Sequence, residues 1–192
     1  MQHKKIIALT ECAVMIAAAT VLSLVKIWNM PLGGSVTLLS MLPICLVAIK
    51  HGSAWGLASS FVYSIIQLIF GITMDGLLGW GLTPTSLIAC IFVDYIFAFT
   101  VLGLAGLLRG HGRVGMCAGI AIAIALRFVC HLISGTLIFA SWTPESFGTN
   151  YLLYSVCYNG AYMLPEMVFT MAATMVISKI PVVQRLVGIY EK

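Results

Sequence analysis

Tyr151-Leu-Leu-Tyr-Ser-Val-Cys-Tyr-Asn-Gly-Ala-Tyr-Met-Leu-Pro-Glu166 opens the last long apolar run of a chain of 192 residues. This stretch carries four tyrosines, an asparagine and a glutamate, where a lipid-facing helix would carry leucine. In hydrocarbon, each polar group costs free energy unless it faces a partner, a cavity or a ligand. The stretch therefore predicts a membrane helix with one polar face, and the rest of the chain is expected to complement that face.

The composition places the whole chain in a membrane. Hydrophobic residues make up 61% of it and charged residues only 8%, against about 25% charged residues in a soluble domain. Because the apolar runs leave only short loops, we expect residues 1–192 to form a single membrane domain. Six cysteines stand singly inside apolar runs without metal or redox spacing, so neither a metal nor a cofactor is expected.

Six apolar runs predict an all-α integral membrane protein with six transmembrane helices. The predicted spans cover residues 6–28, 37–50, 53–72, 87–108, 114–139 and 151–180. A helix needs about 20 apolar residues to cross the bilayer core. The second run has only 14 residues and contains Pro43, so the second span is predicted to be short or irregular.

The basic residues predict the orientation of these helices. Cytoplasmic loops of membrane proteins carry an excess of lysine and arginine, and the loops 29–36, 73–86 and 140–150 contain neither residue. The basic residues of the other connections and of the two ends fall on the opposite side: Lys4, Lys5, Lys50, Arg109, Arg113, Lys179, Arg185 and Lys192. This pattern predicts that both termini are cytoplasmic.

Three helices are expected to bring polar side chains to one level in the outer half of the membrane. At a rise of 1.5 Å per residue, Asp94 lies about 10 Å below the outer surface, and His131 and Asn159 lie about 12 Å below it. Tyr154 and Tyr158 lie just above, on one face of the last helix. These depths predict a polar pocket that opens to the outside and is closed below by apolar residues.

The angles and depths on the last helix raise two questions. Tyr154 and Asn159 are five residues apart and point about 140° away from each other on a regular helix. Both reach one ligand only if the helix begins near Asn159 or the ligand lies across its end. Glu166 lies about 22 Å from the outer side, and is expected to be too deep for the pocket and to pair with Arg127 or to cap an inner network.

The predicted lining indicates the kind of ligand that the pocket takes. One carboxylate, that of Asp94, is surrounded by aromatic side chains, which are Trp80, Tyr95, Phe139, Trp142, Tyr154 and Tyr158. Aromatic faces and a single acid suit a flat cationic or amino-bearing heterocycle, through stacking, cation–π attraction and a charge-assisted hydrogen bond. Asn159 can both donate to and accept from the edge of such a ring. In the alternative reading, Asp94 pairs with Arg127 and His131 is a hydrogen-bonded core residue.

The sequence carries no motif of a membrane enzyme. Gly-x-Ser-x-Gly, His-Glu-x-x-His, paired-aspartate and phosphate-loop motifs are absent from it. It also contains no nucleotide-binding domain to drive a pump, and no recognisable repeat between its halves. These features favour a small binding unit, not an enzyme, that takes energy from partner proteins. The alternative is a membrane enzyme that acts on a lipid or prenyl substrate through Asp94 and His131.

Stretches from the first span to the last resemble one known family. They are Leu9-Thr-Glu-Cys-Ala, Gly33-Gly-Ser-Val-Thr37, Asp94-Tyr-Ile-Phe-Ala-Phe, Leu102-Gly-Leu-Ala-Gly106, Arg127-Phe-Val-Cys-His-Leu-Ile-Ser-Gly135 and Tyr154-Ser-Val-Cys-Tyr-Asn-Gly160. In these stretches the chain resembles the thiamine-specific substrate-binding subunit (S component, ThiT or YuaJ type) of energy-coupling-factor transporters. The His-x-x-x-Gly and Tyr-Ser-x-x-x-Asn motifs, in this order and at this separation, are the most specific part of the resemblance.

The resemblance implies a ligand and its contacts. Asp94, His131, Tyr154 and Asn159 would contact thiamine, with the carboxylate and the amide on the aminopyrimidine and with aromatic and imidazole faces over the thiazolium ring. Asp94 stands where glutamate is also found, so the ligand or the helix would shift by about one methylene. Another vitamin or precursor is the alternative ligand.

The chain departs from the family pattern at two places. Phe139 stands where a tryptophan can occur. Residues 34–38 lack an aromatic residue and an acid that some relatives carry, and Ser35 or Thr37 is expected to take their place in the upper wall of the pocket.

Two further features bear on partners and on motion. Ala13 and Ala17, at i and i+4, form a smooth face that lets another helix approach closely, and this helix could belong to a second protein or to the same chain. The resemblance implies that the alanine face docks onto a shared transmembrane coupling subunit with two ATPases below it. The loop 73–86 is long enough to fold over the pocket as a lid.

Overall fold

The computed structural model of this chain describes residues 2–30, 33–181 and 183–184. Six helices dominate it: α1 Gln2–Leu24, α2 Met41–His51, α3 Ser53–Thr73, α4 Pro84–Leu108, α5 Gly112–Leu137 and α6 Tyr151–Ile177. Short 3₁₀ turns at Leu77–Gly79, Ala140–Trp142 and Glu145–Phe147 lie in the connecting loops. The predicted all-α membrane fold is confirmed.

Helix α2 is the short helix that the sequence predicts. The other five helices are long and apolar enough to cross a membrane. Helix α2 has 11 residues, which span about 16 Å, or about half of the 30 Å hydrocarbon core. Pro43 lies in its first turn, where backbone N–H groups have no partner within the helix. Most of its side chains are buried, so α2 is enclosed by its neighbours and is shielded from lipid.

A small hairpin stands where the first span was expected to end. Helix α1 ends at Leu24, whereas the expected span runs to residue 28. Strand β1 (Lys26–Asn29) follows and pairs antiparallel with β2 (Ser35–Thr37). Gly33 enters β2 with a φ of 92°, a conformation that glycine adopts without a steric cost. Because a short apolar run fits a helix end and a strand equally well, its pattern does not separate the two.

Helix α4 lies at the centre of the bundle, where it packs against α2, α3 and α5. Gly103 lets two backbones touch, because a Cβ at this position would overlap the backbone of Leu57 in α3. The middle of α4, Ile91–Phe97, is wound as a π-helix, a form that is frequent at functional sites. Helix α6 packs on α5 and reaches α2 and β2. The hairpin, α4, α5 and α6 therefore surround one space.

The cytoplasmic end of the bundle, as the basic residues predict it, carries a polar cluster. Glu11 of α1 lies 2.6 Å from Nζ of Lys50 and 2.7 Å from Nε2 of His51. The guanidinium of Arg109 lies against Gly52 at the same end. The basic residues Arg185 and Lys192, which the orientation argument also uses, lie outside the described residues.

Lys26 lies at the opposite end of α1. The predicted first span includes Lys26, but the structure places it in β1, 2.9 Å from the Asp75 carboxylate of the loop after α3. The outer side therefore carries one lysine, and Asp75 balances its charge.

Candidate functional site

One cavity lies between the hairpin, α4, α5 and α6. Its volume is about 170 Å³, whereas one water needs about 10–15 Å³ by the same measure. The cavity therefore accommodates a small molecule. All nine side chains that the sequence singles out line it: Trp80, Asp94, Tyr95, His131, Phe139, Trp142, Tyr154, Tyr158 and Asn159.

Two side chains of α5 hold the Asp94 carboxylate. Oδ1 lies 2.9 Å from Nδ1 of His131, and Oδ2 accepts a hydrogen bond from the hydroxyl of Ser134. The side chains of Asp94 and His131 are 12% and 13% exposed, so little water screens their interaction. A carboxylate has about four lone-pair positions. Two are occupied, and two are left for a ligand.

The alternative pairing of Asp94 with Arg127 is not what the structure shows. Among the described residues, Asp94 forms an ion pair with His131, and no acidic side chain lies within 4 Å of Arg127. His131 is hydrogen-bonded, as its alternative reading expects, and it also lines the cavity. The Asp94–His131 pair thus takes the place of the Asp94–Arg127 pair that the sequence left open.

Asn159 is 5% exposed and fastens α6 to α5. Its Nδ2 donates to the backbone oxygen of Ser155 at 2.9 Å and to that of His131 at 3.3 Å. Its Oδ1 accepts from the hydroxyl of Tyr162 at 2.8 Å. Because the amide nitrogen has two hydrogens, both are used within the protein. One lone pair of Oδ1 is left to contact a ligand.

The cavity wraps around half of α6, which explains how Tyr154 and Asn159 both reach it. The helix begins at Tyr151, so the route in which it begins near Asn159 is wrong. The lining residues of α6 are Tyr154, Ser155, Tyr158, Asn159, Tyr162, Met163 and Glu166. At 100° per residue they cover an arc of about 180°. Tyr154 stands at one edge of this arc, and Asn159 stands near the other.

Glu166 lines the cavity, so the expectation that it lies too deep is wrong. It is 4% exposed, its Oε2 accepts from the backbone N–H of Thr37 at 2.8 Å, and its Oε1 accepts from the Thr37 hydroxyl. Thr37 also lies 2.6 Å from the Ser40 hydroxyl. The hairpin enters between the helices and carries β2 down to the depth of Glu166. The floor of the cavity is therefore partly polar, and the expected pair of Glu166 with Arg127 is not formed among the described residues.

Aromatic rings cover the outer mouth of the cavity. The ring centroids of Phe139 and Trp142 are 4.7 Å apart, and Trp80 lies 5.9 Å from Phe139 and 5.7 Å from Trp142. Trp80 donates from Nε1 to the backbone oxygen of Asp75 at 3.0 Å and lies against Gly33 of the hairpin. The loop 73–86 thus supplies one ring of the mouth, and its motion as a lid stays a prediction.

The hairpin and α6 form the opposite side of the mouth. The backbone N–H of Gly34 donates to the hydroxyl of Tyr158 at 3.1 Å. Tyr158 in turn lies between two tyrosines of α6, with ring centroids 5.9 Å from Tyr154 and 6.0 Å from Tyr162. Ser35 and Thr37 both line the cavity, but the hydrogen bonds of Thr37 to Glu166 place it at the floor and not in the expected upper wall.

Sequence reasoning missed several polar lining residues, namely Ser23, Lys26, Ser40, Gln67, Asp75, Ser134 and Tyr162. For two of them the sequence contains a pattern that could have predicted their place in the cavity, because Ser134 follows His131 by three residues and Tyr162 follows Asn159 by three. Residues at this spacing share a helix face. No pattern in the sequence predicts that Ser40 and Gln67 line the cavity, since their position depends on how α2 and α3 pack.

An all-α membrane bundle that encloses a single-molecule cavity with aromatic walls and buried carboxylates defines a membrane-embedded binding protein for a small molecule. Among the described residues, no group of three or more His, Cys, Asp or Glu side chains could hold a metal ion. Comparison with known proteins narrows this class. Residues 9–184 match the family described as thiamine transporter protein (Thia_YuaJ), and the chain belongs to this family.

Individual relatives agree with this assignment. The chain is 31% identical over 181 residues to the thiamine transporter ThiT of Bacillus subtilis (strain 168), with 87% of this chain and 88% of the relative covered. It is 29% identical over 184 residues to the thiamine transporter ThiT of Lacticaseibacillus paracasei, with 88% and 85% covered. A solved structure of ThiT from Listeria monocytogenes shares the fold, with a TM-score of 0.74 at 21% identity over 94% of this chain and 98% of that one. The expected family and the expected absence of enzymatic function are confirmed by this membership.

Proposed function

We propose that this chain is the thiamine-binding subunit, or S component, of an energy-coupling-factor uptake transporter, and that it captures thiamine in an outward-facing pocket. The observation that supports this most is the Asp94 carboxylate, which is only 12% exposed and has two unused lone-pair positions, in a cavity with an aromatic mouth. Thiamine is a cation with two flat rings, a thiazolium and an aminopyrimidine, so its charge and its amino group match these two features. Membership in a thiamine transporter family supports the same ligand.

The proposed contacts follow from the hydrogen-bond acceptors and ring faces that are not used within the protein. Asp94 accepts from the amino group of the pyrimidine, and Oδ1 of Asn159 accepts with its remaining lone pair. The thiazolium ring lies against the aromatic side chains at the mouth, among them Phe139 and Trp142, and against the imidazole of His131. Tyr154 and Tyr158 close the side that faces the hairpin, and Tyr95 and Trp80 complete the enclosure.

The outer face of α1 supports docking onto a coupling subunit. Ala13 and Ala17 are exposed, whereas α1 packs within the chain through Ala8, Cys12, Ala19 and Ser23. The exposure of both alanines supports contact with a helix outside the chain over packing inside it. A smooth exposed face in the membrane suits a second helix at close range. We assign it to the transmembrane coupling subunit, which carries two ATPases on its cytoplasmic side.

A ligand titration tests the proposed specificity. The purified chain in detergent is titrated with thiamine and with a panel of other vitamins, and tryptophan fluorescence is recorded. We expect thiamine to quench at the lowest concentration, because Trp80 and Trp142 line the cavity. Stronger quenching by another vitamin would reassign the ligand.

The four tryptophans provide a matched control for this titration. Trp28 lies exposed on β1 and is absent from the cavity lining, so Trp28→Phe should keep the thiamine-dependent quenching. Trp142→Phe should lose a large part of it. An equal loss in both variants would show that the quenching does not come from the cavity.

A further inference from the structure

A second space lies outside the mouth of the cavity and is continuous with it. Five of the described residues line both spaces, and they are Lys26, Gly33, Asp75, Trp80 and Trp142. We call these five residues the neck, because they border the passage between the two spaces. Asp94 lines the inner space alone. A ligand that reaches Asp94 from the outside therefore passes the neck first.

Two residues of the neck carry opposite charges that lie in contact. Nζ of Lys26, on β1, lies 2.9 Å from Oδ1 of Asp75, in the loop after α3, and the two side chains are 31% and 29% exposed. Two opposite charges at this distance nearly cancel each other for a third charge that passes several ångströms away. The neck therefore has almost no net charge, although it contains a lysine.

Other charges on the outer side are few. The loops 29–36, 73–86 and 140–150 contain no lysine or arginine, and their acids are Asp75 and Glu145. Glu145 is exposed and is absent from the lining of both spaces. The charge that an entering ligand meets at the neck is thus set by Lys26 and Asp75.

The remaining neck residues favour a cation. Trp80 and Trp142 present rings whose centroids are 5.7 Å apart, and the faces of indole rings attract cations. Trp80 also donates from Nε1 to the backbone oxygen of Asp75 at 3.0 Å. An uncompensated lysine beside these rings would oppose this attraction by repelling a cationic ligand.

These observations give Asp75 a role that differs from that of a simple structural tie. We propose that Asp75 is a specificity-determining residue, which cancels the charge of Lys26 and so allows a cationic heterocycle to pass the neck. Lys26 joins the hairpin to the loop after α3 through the same contact. This inference rests on the proposed function, in which the ligand is the thiamine cation.

The rate of association in charge variants tests this role. Asp75→Asn removes the charge at almost the same shape and keeps the backbone oxygen that Trp80 uses. Because the ion pair is partly exposed, its loss should cost little stability. Association of thiamine with the purified full chain is followed by stopped-flow tryptophan fluorescence at about 50 mM and about 1 M salt. At low salt we expect Asp75→Asn to associate at least about threefold more slowly than the unchanged chain. At about 1 M salt the difference should nearly vanish, since the screening length falls to about 3 Å.

A neutral ligand separates the effect of charge from that of shape. In the thiophene analogue of thiamine, a carbon replaces the charged ring nitrogen. Its association should be the same, within about twofold, in Asp75→Asn and in the unchanged chain, because an uncharged ligand does not feel the exposed lysine.

Two further variants serve as controls. Lys26→Met combined with Asp75→Asn has no charge at the neck, so its association with thiamine at low salt should return to within about twofold of the unchanged chain. Glu145→Gln removes the other acid of the outer loops, away from the neck, and should leave the rate within the same range.

The outcomes distinguish the inference from the proposed function. Equal slowing of thiamine and of its neutral analogue in Asp75→Asn, or slowing that persists at about 1 M salt, would overturn the inference. Slow association of the double variant, or an effect of Glu145→Gln as large as that of Asp75→Asn, would overturn it as well. Failure of the unchanged chain to bind thiamine at either salt concentration would instead refute the proposed function.

Discussion

Asp94 and Asn159 both line the cavity, but they differ in what they have left for a ligand. Two lone-pair positions of the Asp94 carboxylate are unused, and the group carries a charge that His131 and Ser134 orient. Asn159 uses both amide hydrogens and one lone pair in hydrogen bonds with Ser155, His131 and Tyr162. We therefore expect Asp94 to be the principal anchor of the proposed ligand, whereas Asn159 is as much a structural tie between α5 and α6.

Asp94→Asn should weaken thiamine binding by about 1.5–3 kcal/mol, the usual contribution of a hydrogen bond to a charged group. This corresponds to about 10- to 100-fold in Kd, and isothermal titration measures it. Glu145→Gln is the matched control, because Glu145 is an exposed acid of the loop 140–150 outside the cavity lining. Unchanged affinity in Asp94→Asn would remove Asp94 from the ligand contacts.

Asn159→Ala should weaken binding and lower the thermal unfolding midpoint together. The substitution leaves the backbone oxygen of His131 without this donor and removes the acceptor of the Tyr162 hydroxyl, and buried polar groups without partners cost about 1–3 kcal/mol each. Unfolding in detergent, followed with and without thiamine, separates the two effects. A loss of affinity with an unchanged midpoint would mean that the contact with the ligand outweighs the structural tie.

At the scale of elements, the hairpin and α6 act as one unit. Glu166 and Tyr158, both on α6, accept hydrogen bonds from the backbone of Thr37 and Gly34. A third contact, the pair of Lys26 with Asp75, joins the hairpin to the loop after α3. The contact between Glu166 and Thr37 is buried, whereas the side chains of Lys26 and Asp75 are about one-third exposed. The two contacts should therefore contribute differently to the stability of the fold.

Glu166→Ala should therefore destabilise the fold far more than Asp75→Asn does. Removing the buried acceptor of two Thr37 donors costs about 1–3 kcal/mol for each group left unpaired, whereas an exposed ion pair contributes about 0.2–1 kcal/mol. Thermal unfolding of both variants beside the unchanged chain measures the difference. Equal shifts in the two variants would show that the hairpin is not held by α6.

At the scale of the whole molecule, the proposed binding cavity and the proposed docking face are separate surfaces. The cavity lies among α4, α5, α6 and the hairpin, whereas the alanine face lies on the lipid side of α1. Ala13→Trp should abolish transport in cells or proteoliposomes that contain the complete transporter, because a bulky side chain blocks close helix packing. Thiamine binding by the isolated chain should remain unchanged.

Val168→Trp is the matched control for this surface. Val168 is 58% exposed, lies on α6 and is absent from the cavity lining. We expect transport to survive this substitution. Loss of binding in Ala13→Trp would show that the alanine face is needed inside the chain, and loss of transport in both variants would show that docking is not confined to that face.

The sequence by itself determined the class, the membrane fold and the lining candidates. Apolar runs of helical length leave few alternatives, since every backbone group in hydrocarbon must be bonded within the chain. Polar residues in such runs are costly unless they meet, and counting depth along each helix was enough to place Asp94, His131 and Asn159 together.

Tertiary structure alone decided which of these groups bond to one another and how far down the cavity reaches. The hairpin after α1 was not predicted, because a short apolar run is ambiguous between helix and strand. Because the hairpin lies between the helices, Thr37 reaches the depth of Glu166, and the floor of the cavity is polar. The pairing of His131 with Asp94, and not of Arg127 with Asp94, depends on how α4 and α5 are rotated against each other. That rotation results from packing among many side chains, and no spacing along a single helix encodes it.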